Sequence, residues 1–163
     1  MNPPFTSHSP LPARRRLLLA GLALGAAGIA PALAAAGKPL VEVWKDPNCG
    51  CCSDWVRHIE EHGFAVRVFD DGNDAARRRL GMPVRFASCH TARVGGYVLE
   101  GHVPAREIHR LLAERPAALG IAVPAMPIGS PGMDGPAYGG RRDPYAVLLV
   151  QRDGSYRVFE QYR

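Results

Sequence analysis

Three cysteines occupy four consecutive positions, Cys49-Gly50-Cys51-Cys52, where a strand-like run gives way to a helix-like one. Leu40 to Trp44 is rich in β-formers, Asp46-Pro47-Asn48 is turn chemistry, and Trp55, Val56 and Ile59 recur near helical spacing until Gly63 stops the pattern. A helix N-terminus presents unpaired N–H groups and the positive end of the dipole, which favour thiolate. Thiolate is both a nucleophile and a metal ligand. Gly50 permits a tight turn, so the sulfurs can converge on one centre. The tetrapeptide also contains Cys49-x-x-Cys52, the spacing of a dithiol redox motif. A single disulfide plus a spare thiol is the third way to use it.

Along the rest of the chain, strands and helices alternate. Phe64 to Phe69 alternates like a strand, and Asp74 to Leu80 reads as a short helix with Asn73 as its cap. Short strands are expected around Ala92–Val94 and Tyr97–Leu99. Pro104 suits the first turn of a helix running through Ile108, Leu111 and Leu112, and Pro116 blocks its continuation. Ile121 to Tyr138 holds four prolines and several glycines, and reads as a long irregular loop of the kind that often carries function. Tyr145–Val150 and Tyr156–Tyr162 form a hairpin around Asp153-Gly154. Strand, cysteine loop, helix, strand, then helix and C-terminal hairpin is the order of a thioredoxin-like α/β domain. Val123-Pro124 and Met126-Pro127 stand where such a fold keeps a cis-proline.

The N-terminus is read separately. Arg14-Arg15-Arg16 precede an apolar run from Leu17 to Ile29, and Pro31 and Ala32-Leu33-Ala34 follow. This is the charged, apolar and small-x-small sequence of an export signal over residues 1–34. It resembles a twin-arginine signal, with Ala13 where a polar residue is usual. The run is short for a span of about 20 residues, so no stable membrane span is expected after cleavage. Removing the three arginines takes the formal charge from +5 to +2. The remaining arginines, including the triplet Arg77–Arg79, are interleaved with acids and lack an aromatic platform, which argues against nucleic acid. The triplet reads as a solvated helix face. The remaining chain, residues 38–163, is long enough for one globular domain. Exported thiols meet oxidising conditions, so the four cysteines should be bonded, metal-bound or redox-active.

The fourth cysteine, Cys89, precedes His90 and Thr91, and His102 lies in Glu100-Gly101-His102-Val103-Pro104. His58 follows Cys51 by seven residues and shares its helix face. The candidate soft ligands are therefore Cys49, Cys51, Cys52 and Cys89 with imidazoles from His58, His90 and His102. Met126 and Met133 could add thioethers. Such donors select Cu(I) or zinc, and imidazole suits copper, zinc and iron. Cys89 could equally be a small buried hydrophobe or a disulfide partner. His90 could hold backbone, and His58 could lie on the helix surface. His62 and His109 read as solvent-facing or as partners of a helix C-terminus.

Four ordered motifs carry a family resemblance. Trp44-Lys45-Asp46-Pro47-Asn48-Cys49-Gly50-Cys51-Cys52 with Trp55 and His58 is the first, and Ser88-Cys89-His90-Thr91-Ala92 the second. Gly96-Tyr97-Val98-Leu99-Glu100-Gly101-His102-Val103-Pro104-Ala105 is the third, and Met126-Pro127-Ile128-Gly129-Ser130-Pro131-Gly132-Met133 the fourth. Together they resemble the CopG-like periplasmic copper proteins, over roughly Val41 to the C-terminus. The resemblance implies a thioredoxin-like fold holding copper, with a multinuclear cluster among its forms, between the Cys-x-Cys-Cys loop and the Cys-His segment. It implies a role in bacterial copper resistance and interconversion of Cu(I) and Cu(II). On that basis Cys49, Cys51, Cys52 and Cys89 become thiolate ligands and His90 and His102 imidazole ligands, with His58, Met126 and Met133 in a second tier. Ala125 departs from the glycine expected before Met126-Pro127.

Three functions stay open at this level. The first is a periplasmic copper-binding protein, extending to a copper oxidoreductase served by a periplasmic electron-transfer or copper-handling partner. The second is a thiol–disulfide oxidoreductase using Cys49 and Cys52. The third is a passive metal store or chaperone.

Overall fold

A computed structural model describes residues 37–163; the expected export signal, residues 1–34, lies outside them. The described chain is mixed α/β. Strand β1 (Leu40–Lys45) leads through helix α1 (Gly50–Glu61) to strand β2 (Ala65–Phe69), which lies parallel to β1. Helix α2 (Asp74–Leu80) follows, then β3 (His90–Val94) and β4 (Tyr97–Glu100) as an antiparallel hairpin, β3 pairing with β1. Helix α3 (Ala105–Glu114) carries the chain to β5 (Gly120–Ala122), parallel to β4. The hairpin β6 (Tyr145–Val150) and β7 (Tyr156–Tyr162) extends the sheet. Its order is β2-β1-β3-β4-β5-β6-β7. Both parallel pairs are bridged by a helix, because parallel neighbours need a crossover too long for a tight turn.

The strand period of two sorts the core onto two faces. Val41, Val43, Leu99, Ile121, Val147 and Leu149 join one cluster with Trp55 and Ile59 of α1 and Ile108 and Leu111 of α3. Their neighbours Val98, Ala122 and Val150 join a smaller one with Met82 and Phe86, from the segment after α2. Each fully buried large apolar side chain contributes about 1.5–3 kcal/mol, so the face under α1 and α3 dominates. Cys52, Trp55 and Ile59 are the buried residues of α1, at the spacing of one helical stripe. The helix that begins with the cysteines is thus held by its own apolar face, and the Trp55 indole N–H donates to the Val103 carbonyl at 2.8 Å.

The structure corrects several expectations. The first residues of the expected loop belong instead to β5, which holds only three residues and carries no period, but sits buried between β4 and β6. Strands β3 and β4 are longer than expected and take in His90 and Glu100. Asn73 precedes α2, yet its amide does not cap the helix; it donates to the Ser88 carbonyl and the Thr91 hydroxyl. Arg77 is no solvated residue: it is 6% exposed and its guanidinium meets buried Glu100. Arg78 and Arg79 are exposed as expected. No peptide bond among the described residues is cis, those before Pro124 and Pro127 included. No described helix is long and apolar enough to cross a membrane.

Candidate metal centre

Local turn chemistry brings the cysteines to the start of α1. The Asp46 carboxylate accepts from the Asn48 N–H at 2.8 Å and the Asp46 carbonyl from the Cys49 N–H at 3.1 Å. Cys49 then takes the N-cap position with no side-chain cap bond, and its carbonyl accepts the Ser53 N–H. Cys51 and Cys52 fall in the first turn, among the backbone N–H groups a helix leaves unpaired. Cys52 points inward and is fully buried; Cys49 and Cys51 are half-buried. Cys49 and Cys52 are joined by a disulfide, and Cys51 and Cys89 are free thiols. The Cys51 sulfur lies 3.6 Å from that of Cys49 and 3.9 Å from that of Cys89.

The opposite wall comes from the β3–β4 hairpin. Cys89 stands just before β3, His90 opens that strand, and His102 follows β4 after Gly101, so the antiparallel pairing sets both histidines at one end of the sheet. The Cys89 sulfur is 3.5 Å from His90 Nδ1 and 3.1 Å from His102 Nε2. His102 Nδ1 lies 2.8 Å from the Pro131 carbonyl. A carbonyl can only accept, so Nδ1 carries the hydrogen and Nε2 presents its lone pair to the sulfur. This is how a second-shell carbonyl fixes the tautomer of a ligating imidazole.

The electrostatics keep the wall neutral until a cation arrives. Burial holds the His90 imidazole well below its ordinary range, reinforced by His102 and Lys45. Burial lowers His102 as well. The Cys89 thiol is pushed up to about 12, first by burial and then by Cys51. Its proton would leave on metal binding. His90 is fully buried against Trp55 and His102, with ring centroids at 4.3 and 4.9 Å, and its Nε2 has no hydrogen-bond partner. An orphaned nitrogen in such a place costs free energy unless something uses it.

Two donor groups therefore share Cys89. The sulfurs of Cys49, Cys51, Cys52 and Cys89 lie within 4.8 Å of one another, and so do donor atoms of Cys89, His90 and His102. Soft sulfur with neutral imidazole fits a thiophilic cation.

The second-tier residues are placed differently. His58 Nε2 accepts the Ala105 N–H at 3.2 Å, which pins α1 to the start of α3. Met133 is buried, and its sulfur accepts the Tyr138 hydroxyl at 3.2 Å. Met126 is 48% exposed. His62 and His109 bond the carbonyls of His58 and His62 near the end of α1. The Pro/Gly loop acts through its backbone: Pro131 orients His102, and Gly132 presses on α1. A Cβ at Gly132, where φ is +84°, would stand 2.5 Å from the Cys51 carbonyl oxygen and 2.8 Å from the Trp55 nitrogen. Sequence reasoning missed Pro131 and Tyr138. A carbonyl leaves no side-chain signal, and Tyr138 stood unremarked at the end of the expected loop.

Comparison with known proteins agrees with this geometry. Residues 86–133 match the family model described as "Protein of unknown function, DUF411". A search of curated proteins finds no match. Among solved structures, "Copper resistance protein copG- Form 2" is 44% identical with a TM-score of 0.69, over 77% of this chain and 98% of that one. "Copper resistance protein copG- Form 1" is 44% identical with a TM-score of 0.70, over 76% and 96%. At that identity, over nearly the whole of each relative, the chain belongs to the CopG-like family.

Proposed function

We propose that the chain is a periplasmic copper-binding protein of copper resistance, exported by residues 1–34 and built on a thioredoxin-like domain. The observation that carries the reading is the pair of donor groups meeting at Cys89: four sulfurs on one side, His90 and His102 on the other. The solved relatives are copper resistance proteins by name. The order β2-β1-β3-β4 with α1 and α3 on one face supports the thioredoxin-like assignment. Beyond it, the β6–β7 hairpin and the Pro/Gly loop are additions.

In this reading Cys49, Cys51, Cys52 and Cys89 bind as thiolates and His90 and His102 as neutral imidazoles. Thiolates favour Cu(I), while imidazoles also suit Cu(II), so a mixed site holding more than one ion supports interconversion, given a partner that supplies or removes electrons. His102 offers Nε2 because Pro131 holds Nδ1–H. Trp55 covers His90 and keeps water from it. All four sulfurs are available as thiolates only after the Cys49–Cys52 disulfide takes up two electrons from an external reductant.

The disulfide itself favours a second reading, thiol–disulfide exchange, with Cys51 3.6 Å from Cys49 as a resolving thiol. Copper titration of the anaerobically reduced protein, beside a Cys89→Ser/His102→Ala variant, separates the readings. Two or more Cu(I) per chain, lost in the variant, supports the copper site. Little copper, or uptake untouched by the variant, overturns it in favour of disulfide exchange. Stoichiometric Cu(I) with no catalysed change of oxidation state identifies a passive store.

A further inference from the structure

The peptide that carries Cys89 and His90 is held by side chains before the sheet takes over. The β3–β4 ladder pairs Thr91 with Glu100 and continues away from the site, leaving Ser88 and Cys89 outside it. Glu100, fully buried, closes that gap. Its Oε1 accepts the Ser88 N–H at 2.8 Å and the Arg77 Nε–H at 2.9 Å, and its Oε2 accepts the Thr91 hydroxyl at 2.7 Å. The Ser88 carbonyl accepts a second Arg77 N–H at 3.0 Å and the Asn73 amide at 3.1 Å. Asn73 also donates to the Thr91 hydroxyl at 3.3 Å. The third Arg77 nitrogen is anchored on Asp74 at 2.6 Å.

Thus one carboxylate and one guanidinium grip both groups of the Ser88 residue, on one side of Cys89-His90, and the hydroxyl of Thr91 on the other. Two residues beyond Glu100 stands His102. A buried ion pair is often no more stable than an apolar replacement of the same volume, so stability alone does not account for this one. What an apolar replacement could not do is orient the two peptide planes that flank Ser88, one through its N–H and the other through its carbonyl. The planar fork of arginine can serve three partners at once, which a lysine ammonium on a flexible stem does not reproduce.

We propose that Arg77, Glu100 and Thr91 form a positioning network for the copper site, aiming the Cys89 sulfur and the two imidazoles from behind. The inference rests on the copper reading above and names residues that act through the ligands rather than touch the metal. Partners of this kind commonly change metal affinity by about 10–100-fold.

Thr91→Val and Thr91→Ser separate positioning from packing. Valine keeps the volume and loses the hydroxyl; serine loses a methyl group and keeps the hydroxyl. Cu(I) affinity, measured by competition with a chromophoric chelator, and the copper–thiolate absorption bands should shift in Thr91→Val, by about tenfold in affinity, and return toward wild type in Thr91→Ser. Arg77→Lys should shift both at least as far, while exposed Arg79→Lys leaves them unchanged. Thermal melts establish that each protein is folded; if Arg77→Lys is not, the threonine pair still decides. A wild type that takes up no Cu(I) overturns the copper reading and this inference with it. A wild type that loads, with Thr91→Val matching it in affinity and spectrum or with serine ranking below valine, overturns the positioning network alone.

Discussion

The Cys49–Cys52 loop and the Ser88–His90 segment face each other across the centre and are built in opposite ways. The loop caps a helix with no side-chain bond, is half-open to solvent and has put two of its three sulfurs into a disulfide. The segment is backed by a buried carboxylate and guanidinium, and His90 within it and His102 beside it are fully enclosed. One wall joins a half-buried sulfur to a buried one in a disulfide; the other is held from behind by hydrogen bonds to a buried ion pair. A site that must change oxidation state while keeping its shape needs both. Under the proposed function, this division lets sulfur chemistry vary against a fixed imidazole frame.

Oxidation should test that division most severely. Copper titrated into protein with the Cys49–Cys52 disulfide intact meets only Cys51 and Cys89 as thiolates. Uptake of Cu(I) should fall by about half or more relative to reduced protein, since sulfur donors set Cu(I) preference, and a dithiol reductant should restore it. Equal uptake in both states would show that the loop is not the variable wall.

Gly132 sits where the two walls are tied together. The residue before it, Pro131, serves His102, while its own Cα lies against the first turn of α1. Gly132→Ala adds a Cβ against backbone that cannot swing aside, at a positive φ. A loss of about 2–3 kcal/mol in a denaturant melt is expected from strain and displaced packing together. An unchanged midpoint would mean the loop and α1 separate easily, and that the walls are not rigidly registered.

Much of this was legible. The strand–cysteine–helix junction and the terminal hairpin follow from turn residues and periodicity, and the observed α2, β6 and β7 have the expected bounds. The six candidate ligands could be named because cysteine and histidine are rare and their chemistry is local to the side chain; what the structure adds is that their donor atoms approach one another. What was not legible depends on tertiary contact. Arg77 opens a run of three arginines, and nothing in the triplet marks which one turns inward to Glu100. Strand β5 is three residues long and gains its identity only from neighbours on both sides.

Ala125 offers a smaller, opposite effect on the rigid wall. It is a non-glycine residue at φ +59°, at the position where the family resemblance leads one to expect glycine. Its N–H donates to the Ala87 carbonyl at 3.1 Å, and its carbonyl receives the Ser88 hydroxyl, so the strain is held in place by the Cys89 segment. Ala125→Gly should relieve it, raising stability by about 1 kcal/mol with copper uptake unchanged. Destabilisation on this change would mean that the lost methyl packs usefully or that flexibility there harms the wall.

The smallest effect concerns how the variable wall is anchored. The His58 ring accepts the Ala105 N–H through Nε2, which requires a lone pair there. Burial lowers its pKa, His62 lowers it further, and Asp134 and Glu61 oppose them. In the unfolded chain the same ring titrates near about 6.5. Between the lowered folded value and about 6.5 the unfolded state therefore binds the extra proton, so stability rises with pH across that window and is level above it. As pH falls below about 6.5 the apo protein should melt progressively earlier, until the folded pKa is passed. His90 and His102, also lowered, act in the same direction. His58→Gln keeps an acceptor for Ala105 and removes one titrating ring, so it should flatten the melting temperature against pH between about 5 and 7 without abolishing the slope. A slope identical to wild type would assign the pH dependence to the imidazoles of the fixed wall.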